Sequence, residues 1–417
     1  MTKYKIDILV LIEHVDREML VSKLLKKELE RKGLTVIIGS ILFHLPELLL
    51  KYTPKAILTP YIGFGKTSPS TLFYHLYGNN IKYFNINYEQ ILFPFTGSFK
   101  APKTKQAKEN QINFCWGLNF KNFLLDNGVL EENIFISGRP YSNAVISMNE
   151  KRDIIRQTLS EKNSLNLNKK WIFIALTDSL ALSDLKYAER VVKKDGDIEA
   201  LHQQIDWDKK TIFKLLKILE EIDNDSFFEN YQIILRPHPT IGKEDYINLF
   251  EKLSISIPKK LKIIKNSDAI SWLIACDYYI TNYSTLIADA LAINKPVFTI
   301  NSNKTEKTKY LWLVEHANSK FSTLTEFKEL FENESIYTNS SINEDWISKK
   351  NAIKEISETI SVKLKDRDFT KPKFFNKKTP FIFTMLIRQK LINYWIEKNN
   401  GKIKFVKESK LVDYYKL

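Results

Sequence analysis

The 417-residue chain carries several short polar stretches able to handle a charged, hydroxyl-rich substrate. The most specific is "IILRPHPT", Ile233 to Thr240, where an apolar run meets two cations, each followed by proline. Proline bars the α conformation for the residue before it and removes a backbone donor. Arg236 and His238 are therefore expected to stand extended past a strand end, as a rigid cationic tip. Such a tip suits the phosphate of a nucleotide donor, although a nearby carboxylate would also satisfy the arginine.

A second stretch, "DYYITNYSTLIADALAINKPVF" (277–298), reads as strand, turn, helix and strand. Ser284 and Thr285 open the helix after Tyr283, and Asp289 follows one turn later. Hydroxyls and unpaired N–H groups at a helix start can cap the helix and hold a phosphate at once. A third, "ALTDSLALSD" (175–184), puts Asp178 after a strand, between Thr177 and Ser179. A carboxylate there can attack an anomeric carbon or support an oxocarbenium-like state. The same residues are good helix caps, so a capping role stands beside the catalytic one.

In the first half, "IEHVDRE" (12–18) clusters Glu13, His14, Asp16, Arg17 and Glu18 where a strand meets a helix. Glu13 can serve as acid or base toward a sugar hydroxyl, while Asp16 reads as the helix cap. "YIGFGKTSPST" (61–71) adds Lys66 in a glycine-bearing loop that lacks the P-loop order of residues. It suits an acceptor or a phosphate, and it also suits an ordinary glycine turn with a Ser/Thr cap. His14, Arg17 and Lys66 form the expected acceptor-binding set.

The elements that must position these residues alternate. Strands are expected at 5–12, 34–40, 54–60, 81–87, 112–117 and 133–138, with a helix at 16–33 stopped by Gly33. A polar stretch, 138–170, reads as a connection holding one short helix. A second series follows, with strands at 171–176, 231–239, 260–266, 276–282 and 296–301 and a long helix at 208–222. This rhythm predicts an α/β protein of two Rossmann-like halves with parallel sheets facing a central cleft. Ligands in such sheets bind at the carboxyl ends of strands, where every stretch above falls.

The chain is 44% hydrophobic, enough for two sizeable cores. Cys115 and Cys276, both in apolar runs, predict no disulfide framework and a reducing cytoplasm. No Cys/His spacing suits zinc, no signal peptide is read at the start, and no run of about 18 apolar residues is present. The net charge is +14, and residues 371–417 hold 12 Lys/Arg against 3 Asp/Glu, or +9. In "TPFIFTMLIRQKLINYWIEKNNGKIKF" (379–405), Phe381, Phe383, Met385, Leu386, Leu391 and Trp395 lie beside Arg388, Lys390 and Lys398. This segment suits an anionic membrane surface, or a helix packed back on the fold; no nucleic-acid partner is expected.

"RPHP" followed by "ITNYSTLIADALAINKPVF" resembles the nucleotide-binding half of GT-B glycosyltransferases of bacterial surface polysaccharides. "ILVLIEHVDREMLVSKLLKKELERKGLTVIIGS" and "ISGRPYSN" resemble the surface carbohydrate biosynthesis proteins, which are similar to the retaining, CMP-Kdo-dependent Kdo transferases. The likeness covers about residues 5–330. It implies transfer of a CMP-activated sugar, in capsule or lipopolysaccharide synthesis, to a glycan or lipid-linked glycan. It implies no cofactor and no metal. His238 and Pro239 would contact the nucleotide phosphate with Arg236, Tyr283, Ser284, Thr285 and Asp289, and Asp178 would be the nucleophile. The turn also resembles the CDP-glycerol transferases of teichoic-acid synthesis, with Asn282 in place of their acid. UDP-N-acetylglucosamine 2-epimerase is a relative by fold, without its glycine-rich turn here. A non-catalytic GT-B scaffold is the remaining alternative. The expected division is an acceptor domain at 1–141, a linker at 142–169, a nucleotide-sugar domain at 170–365 and a basic tail at 366–417. The expected place is the cytoplasm, peripheral on the membrane's inner face.

Overall fold

The computed structural model describes residues 4–13, 15–41, 43–61, 68–92, 100–177, 179–182, 189, 192, 197–238, 241–300, 312–332, 342–373 and 379–398. Strands β1 (Tyr4–Ile12), β2 (Val36–Ser40), β3 (Tyr52–Thr59), β4 (Lys82–Asn85), β5 (Gln111–Cys115) and β6 (Ile134–Ile136) form one sheet. Their order is β2-β1-β3-β4-β5-β6, and every pair is parallel. β1 is buried continuously from Ile8 to Ile12, as a strand covered on both faces must be. The helix Val15–Arg31 leads from β1 to β2. It stops at Gly33, whose φ of +81° lets the Leu34 N–H reach back to the Leu29 carbonyl (3.2 Å).

The second sheet holds β7 (Lys170–Ile174), β8 (Tyr231–Leu235), β9 (Leu261–Ile263), β10 (Tyr278–Thr281), β11 (Val297–Ile300) and β12 (Ser319–Phe321). Its order is β12-β11-β10-β7-β8-β9, again parallel throughout. Each sheet starts at an inner strand and grows outward in two directions. The direction reverses between β1 and β3 in the first and between β7 and β10 in the second. Loops leaving neighbouring strands diverge at such a point and open a crevice for a ligand.

Two compact units result: Met1–Gln90 with Lys100–Ala144 and Asn343–Leu417, and Ile91–Phe99 with Val145–Ile342. The expected boundaries at 169/170 and 365/366 differ from this division, because the chain returns to the first unit at Asn343. The return is fastened by backbone. Ser348 N–H donates to the Trp116 carbonyl (2.8 Å), and Asn119 N–H donates to that of Asp345 (2.8 Å). Glycine is needed at both contacts. A Cβ at Gly117 would lie 2.5 Å from the Asp345 oxygen, and one at Gly138 2.8 Å from those of Ser348 and Lys350. Beyond them, the helix Ala352–Leu364 buries Ile356, Ile360 and Leu364 and lies along the helix Val15–Arg31.

Two helices occupy the stretch read as a connection, Pro140–Asn149 and Arg152–Asn163. The second is polar by sequence. It is held by Arg152 and Arg156, which both reach Asp277. The long helix runs Ile198–Ile222, starting ten residues before the expected 208, because Asp197 caps it by accepting from Ala200 N–H (3.0 Å).

Candidate functional site

In the second unit, the loops leaving β7 and β10 are tied together by Asn282, which is 1% exposed. Its side-chain oxygen accepts from the N–H of Thr177 (2.8 Å) and of Tyr283 (3.0 Å), and its amide donates to the Thr177 carbonyl (3.2 Å). One side chain thus pairs both backbone groups of the residue before Asp178. Next in sequence, Tyr283 is 3% exposed, meets the Trp207 ring at 5.4 Å and donates to Asp208 Oδ2 (3.0 Å). Ser284 and Thr285 are half-buried. Ser284 Oγ accepts from Leu286 N–H (3.2 Å) at the start of the helix Leu286–Ala292, and the Thr285 side chain makes no cap bond. Asp289 is buried within that helix.

The turn after β8 is braced by cations. Arg236 is buried, and its Nε and Nη2 both donate to the Ser267 carbonyl (3.2 and 2.9 Å). Lys265 donates to the carbonyls of Ile241 (2.6 Å), Pro237 (3.4 Å) and His238. The His238 carbonyl also accepts from Ile241 N–H (2.8 Å), which folds the turn back on itself. These bonds to backbone carbonyls fix the path of the turn that carries the half-buried His238.

The opposite end of this sheet is also charged, and its groups are spent on structure. Asp277 accepts from Arg152 (2.7 Å), Arg156 (3.1 Å) and Trp171 N–H (2.7 Å). Lys295 donates to the carbonyls of Ile274 (3.2 Å) and Cys276, and burial lowers its pKa to about 8. Burial also pushes the Cys276 thiol up to about 12, so it stays protonated at neutral pH.

In the first unit, a polar cluster sits at the carboxyl ends of β1, β3, β4 and β6. Glu18 has no exposed surface. Its carboxylate accepts from Glu13 N–H (2.6 Å) and from Arg17 Nε and Nη2 (3.1 and 2.6 Å). Arg17 lies 3.8 Å from the Glu13 carboxylate, which is 32% exposed. Tyr61 is near enough that, after burial, the charges of Glu13 and Glu18 raise its pKa. Tyr88 meets Tyr141 edge-on at 5.8 Å, and Arg139 lies over Trp116 (4.9 Å) and Tyr141 (5.4 Å). Burial lowers the pKa of Lys100, against the pull of Glu89 at 4.0 Å.

Of the residues singled out from sequence, Glu13 and Arg17 are brought together, and Ser284 and Thr285 lie two and three residues beyond Asn282. Arg236 and Tyr283 are enclosed with donors committed inside their own unit. His14, Lys66, Asp178 and Pro239 lie outside the described residues, as does the Asp16 side chain. Glu18, Asn282 and Lys265 carry more of the geometry than the sequence reading assigned them. Asn282 had a signal, being an amide where related turns hold an acid. Lys265 had only its place after the apolar run "LKII".

No family model matches the chain. No curated protein matches it either. Solved structures do match in fold. The UDP-GlcNAc 2-epimerase of Neisseria meningitidis, bound to UDP-GlcNAc, aligns with a TM-score of 0.55 at 12% identity, over 86% of this chain and 99% of that one. The S. aureus MnaA–UDP co-structure gives 0.54 at 16% identity, over 90% and 100%. The wall teichoic acid polymerase TagF with CDPG gives 0.52 at 13% identity, over 86% and 89%. At such identities the likeness concerns the fold alone: this chain has two Rossmann-like units of the GT-B kind.

Proposed function

We propose that the chain is a GT-B glycosyltransferase that uses a nucleotide-activated sugar to build a bacterial surface polysaccharide. The observation that carries this is Asn282, which joins the loops after β7 and β10 at the second unit's switch point. A preorganised crevice with half-exposed Ser284 and Thr285, flanked by the cation-braced His238 turn, suits a phosphate-linked donor. Solved structures of the same fold hold UDP-GlcNAc, UDP or CDPG, which supports a nucleotide ligand.

Within that class we assign a CMP-sugar such as CMP-Kdo, carried to a glycan or lipid-linked glycan at the membrane's inner face. No metal is needed, since a single phosphate leaves onto basic groups. Asp178 is the proposed nucleophile. Its carboxylate attacks the anomeric carbon, CMP departs, and an acceptor hydroxyl then displaces the aspartate. If transfer is inverting, Glu13 is the proposed base that takes the acceptor proton. The second reading is a CDP-glycerol-type phosphotransferase, supported by the fold likeness to TagF and by the "TNYST" turn.

Calorimetric titration with CMP, CDP and UDP, followed by mass analysis with CMP-Kdo in the absence of acceptor, tests the assignment. CMP binding and one added sugar on the peptide holding Asp178 support it. Binding of CDP-glycerol alone would establish the second reading, and conversion of UDP-GlcNAc would make the chain an epimerase.

A further inference from the structure

Among the described residues of the helix Thr379–Lys398, one apolar face is docked on the fold and another is exposed. Ile382 is 1% exposed and, with Leu386 one turn on, joins the core of the first unit that contains Leu45, Leu48 and Leu49. The helix there lies against the helix Leu45–Lys51. About a quarter-turn around its axis, Phe383, Ile387, Leu391 and Tyr394 recur at intervals of four, four and three residues. They form a single stripe, and are 48%, 58%, 62% and 62% exposed. Lys390 borders the stripe on the side of the docked face, and Arg388 lies beyond it on the other; both are exposed.

Four large apolar side chains in one row, bordered by cations, are costly in water and suited to a lipid–water boundary. Among the described residues no helix is long and apolar enough to cross a membrane.

We propose that this stripe is a membrane-docking face. Ile382 and Leu386 anchor the helix to the first unit, while Phe383, Ile387, Leu391 and Tyr394 enter the headgroup–acyl boundary of an anionic bilayer. Arg388 and Lys390 meet lipid phosphates. The +9 charge of residues 371–417 supplies the complementarity that selects an anionic surface over a second copy of this chain. The inference rests on the membrane part of the reading above and does not depend on the donor.

The test is co-sedimentation of the full chain with vesicles of phosphatidylcholine and phosphatidylglycerol, 3:1, against phosphatidylcholine alone. Wild type is expected to prefer the anionic vesicles and to keep part of its binding at high salt, because the apolar part is not screened. The double variant Ile387→Asp, Leu391→Asp should bind at least about ten-fold more weakly. Its melting temperature should be unchanged, since both positions are exposed. The pair Arg388→Ala, Lys390→Ala should lose the preference for anionic lipid and retain the fold. Equal binding by wild type and the aspartate variant would overturn the docking face and leave the basic tail as the anchor. No binding by wild type would overturn the membrane reading itself. A wild-type dimer in sedimentation velocity, broken by the aspartate variant with no vesicle binding, would show that a second copy covers the stripe.

Discussion

Replacing Asn282 by alanine is the sharpest perturbation of the proposed donor site. The change removes three hydrogen bonds, at 2.8, 3.0 and 3.2 Å, that hold the backbone of Thr177 and Tyr283. At about 1 kcal/mol net for each, and with Thr177 partly solvated once released, the expected loss is about 2–3 kcal/mol. That is a factor of roughly 30–150 in the local opening equilibrium. Hydrogen exchange reads it directly, because the amides of Thr177 and Tyr283 are themselves the released donors. Both should exchange about 30–150-fold faster, while amides in β1 and β5 stay protected. Asn282→Asp is the isosteric control. It keeps an acceptor for the two N–H groups but sets a carboxylate oxygen 3.2 Å from the Thr177 carbonyl, where a donor stood. It should therefore open the same loop. Nucleotide affinity should fall in both variants by at least about ten-fold, if the tied loops form the crevice. Unchanged exchange at Thr177 together with unchanged nucleotide affinity would refute the reasoning.

Three further outcomes are expected. His238→Ala should weaken nucleotide binding by about 1.5–3 kcal/mol, the scale of one charge-assisted hydrogen bond, and calorimetry with CMP, CDP and UDP checks this. Gly138→Ala should destabilise the first unit by about 2–4 kcal/mol, since φ is +84° and the new Cβ would meet two carbonyl oxygens at 2.8 Å; thermal melts read it, and an unshifted melt contradicts it. Lys295 has a pKa of about 8 in the fold against 10.5 for the free side chain, so between these pH values the unfolded chain holds more protons and wild-type stability rises with pH. Relative to Lys295→Met, wild type should gain about 1 kcal/mol from pH 8 to pH 9 in urea unfolding, and a flat difference would show that the buried ammonium is not destabilised.

The parallel sheets were legible because their strands are apolar runs ended by turn chemistry, and that signal is local. "KIDILVLI" and "WIFIAL" need no partner to be recognised as buried strands. The return of the chain at Asn343 was not legible, because it depends on Gly117 and Gly138 admitting a backbone more than 200 residues away. Neither glycine differs from an ordinary turn residue in its own neighbourhood. One short helix was expected between 138 and 170 and two stand there; how the helix Arg152–Asn163 packs was hidden for a related reason. It is held by arginines that meet Asp277, over 100 residues on, and without that partner a polar stretch reads as a connection with one short helix.

The same distance effect separates the candidate site residues into two kinds. A charged or phenolic side chain at a strand end looks like a ligand contact from sequence, yet strand ends are also where loops crowd and leave carbonyls to be satisfied. A buried donor must meet an acceptor, or pay its desolvation in full. Arg236 meets Ser267, Tyr283 meets Asp208 and Lys265 meets three carbonyls of one turn. Each partner lies at least 24 residues away, so none could be named in advance. In the proposed function, these side chains act on a donor through what they hold in place. What they hold is the His238 turn and the Ser284–Thr285 turn, whose residues are only half-buried. In the proposed function, contact with a nucleotide is assigned to His238, Ser284 and Thr285. Under that proposal, variants of Arg236 and Tyr283 should lower stability and affinity together, whereas His238→Ala should lower affinity by more than any loss of stability accounts for. Equal loss of stability in all three variants would erase that distinction and return His238 to the framework.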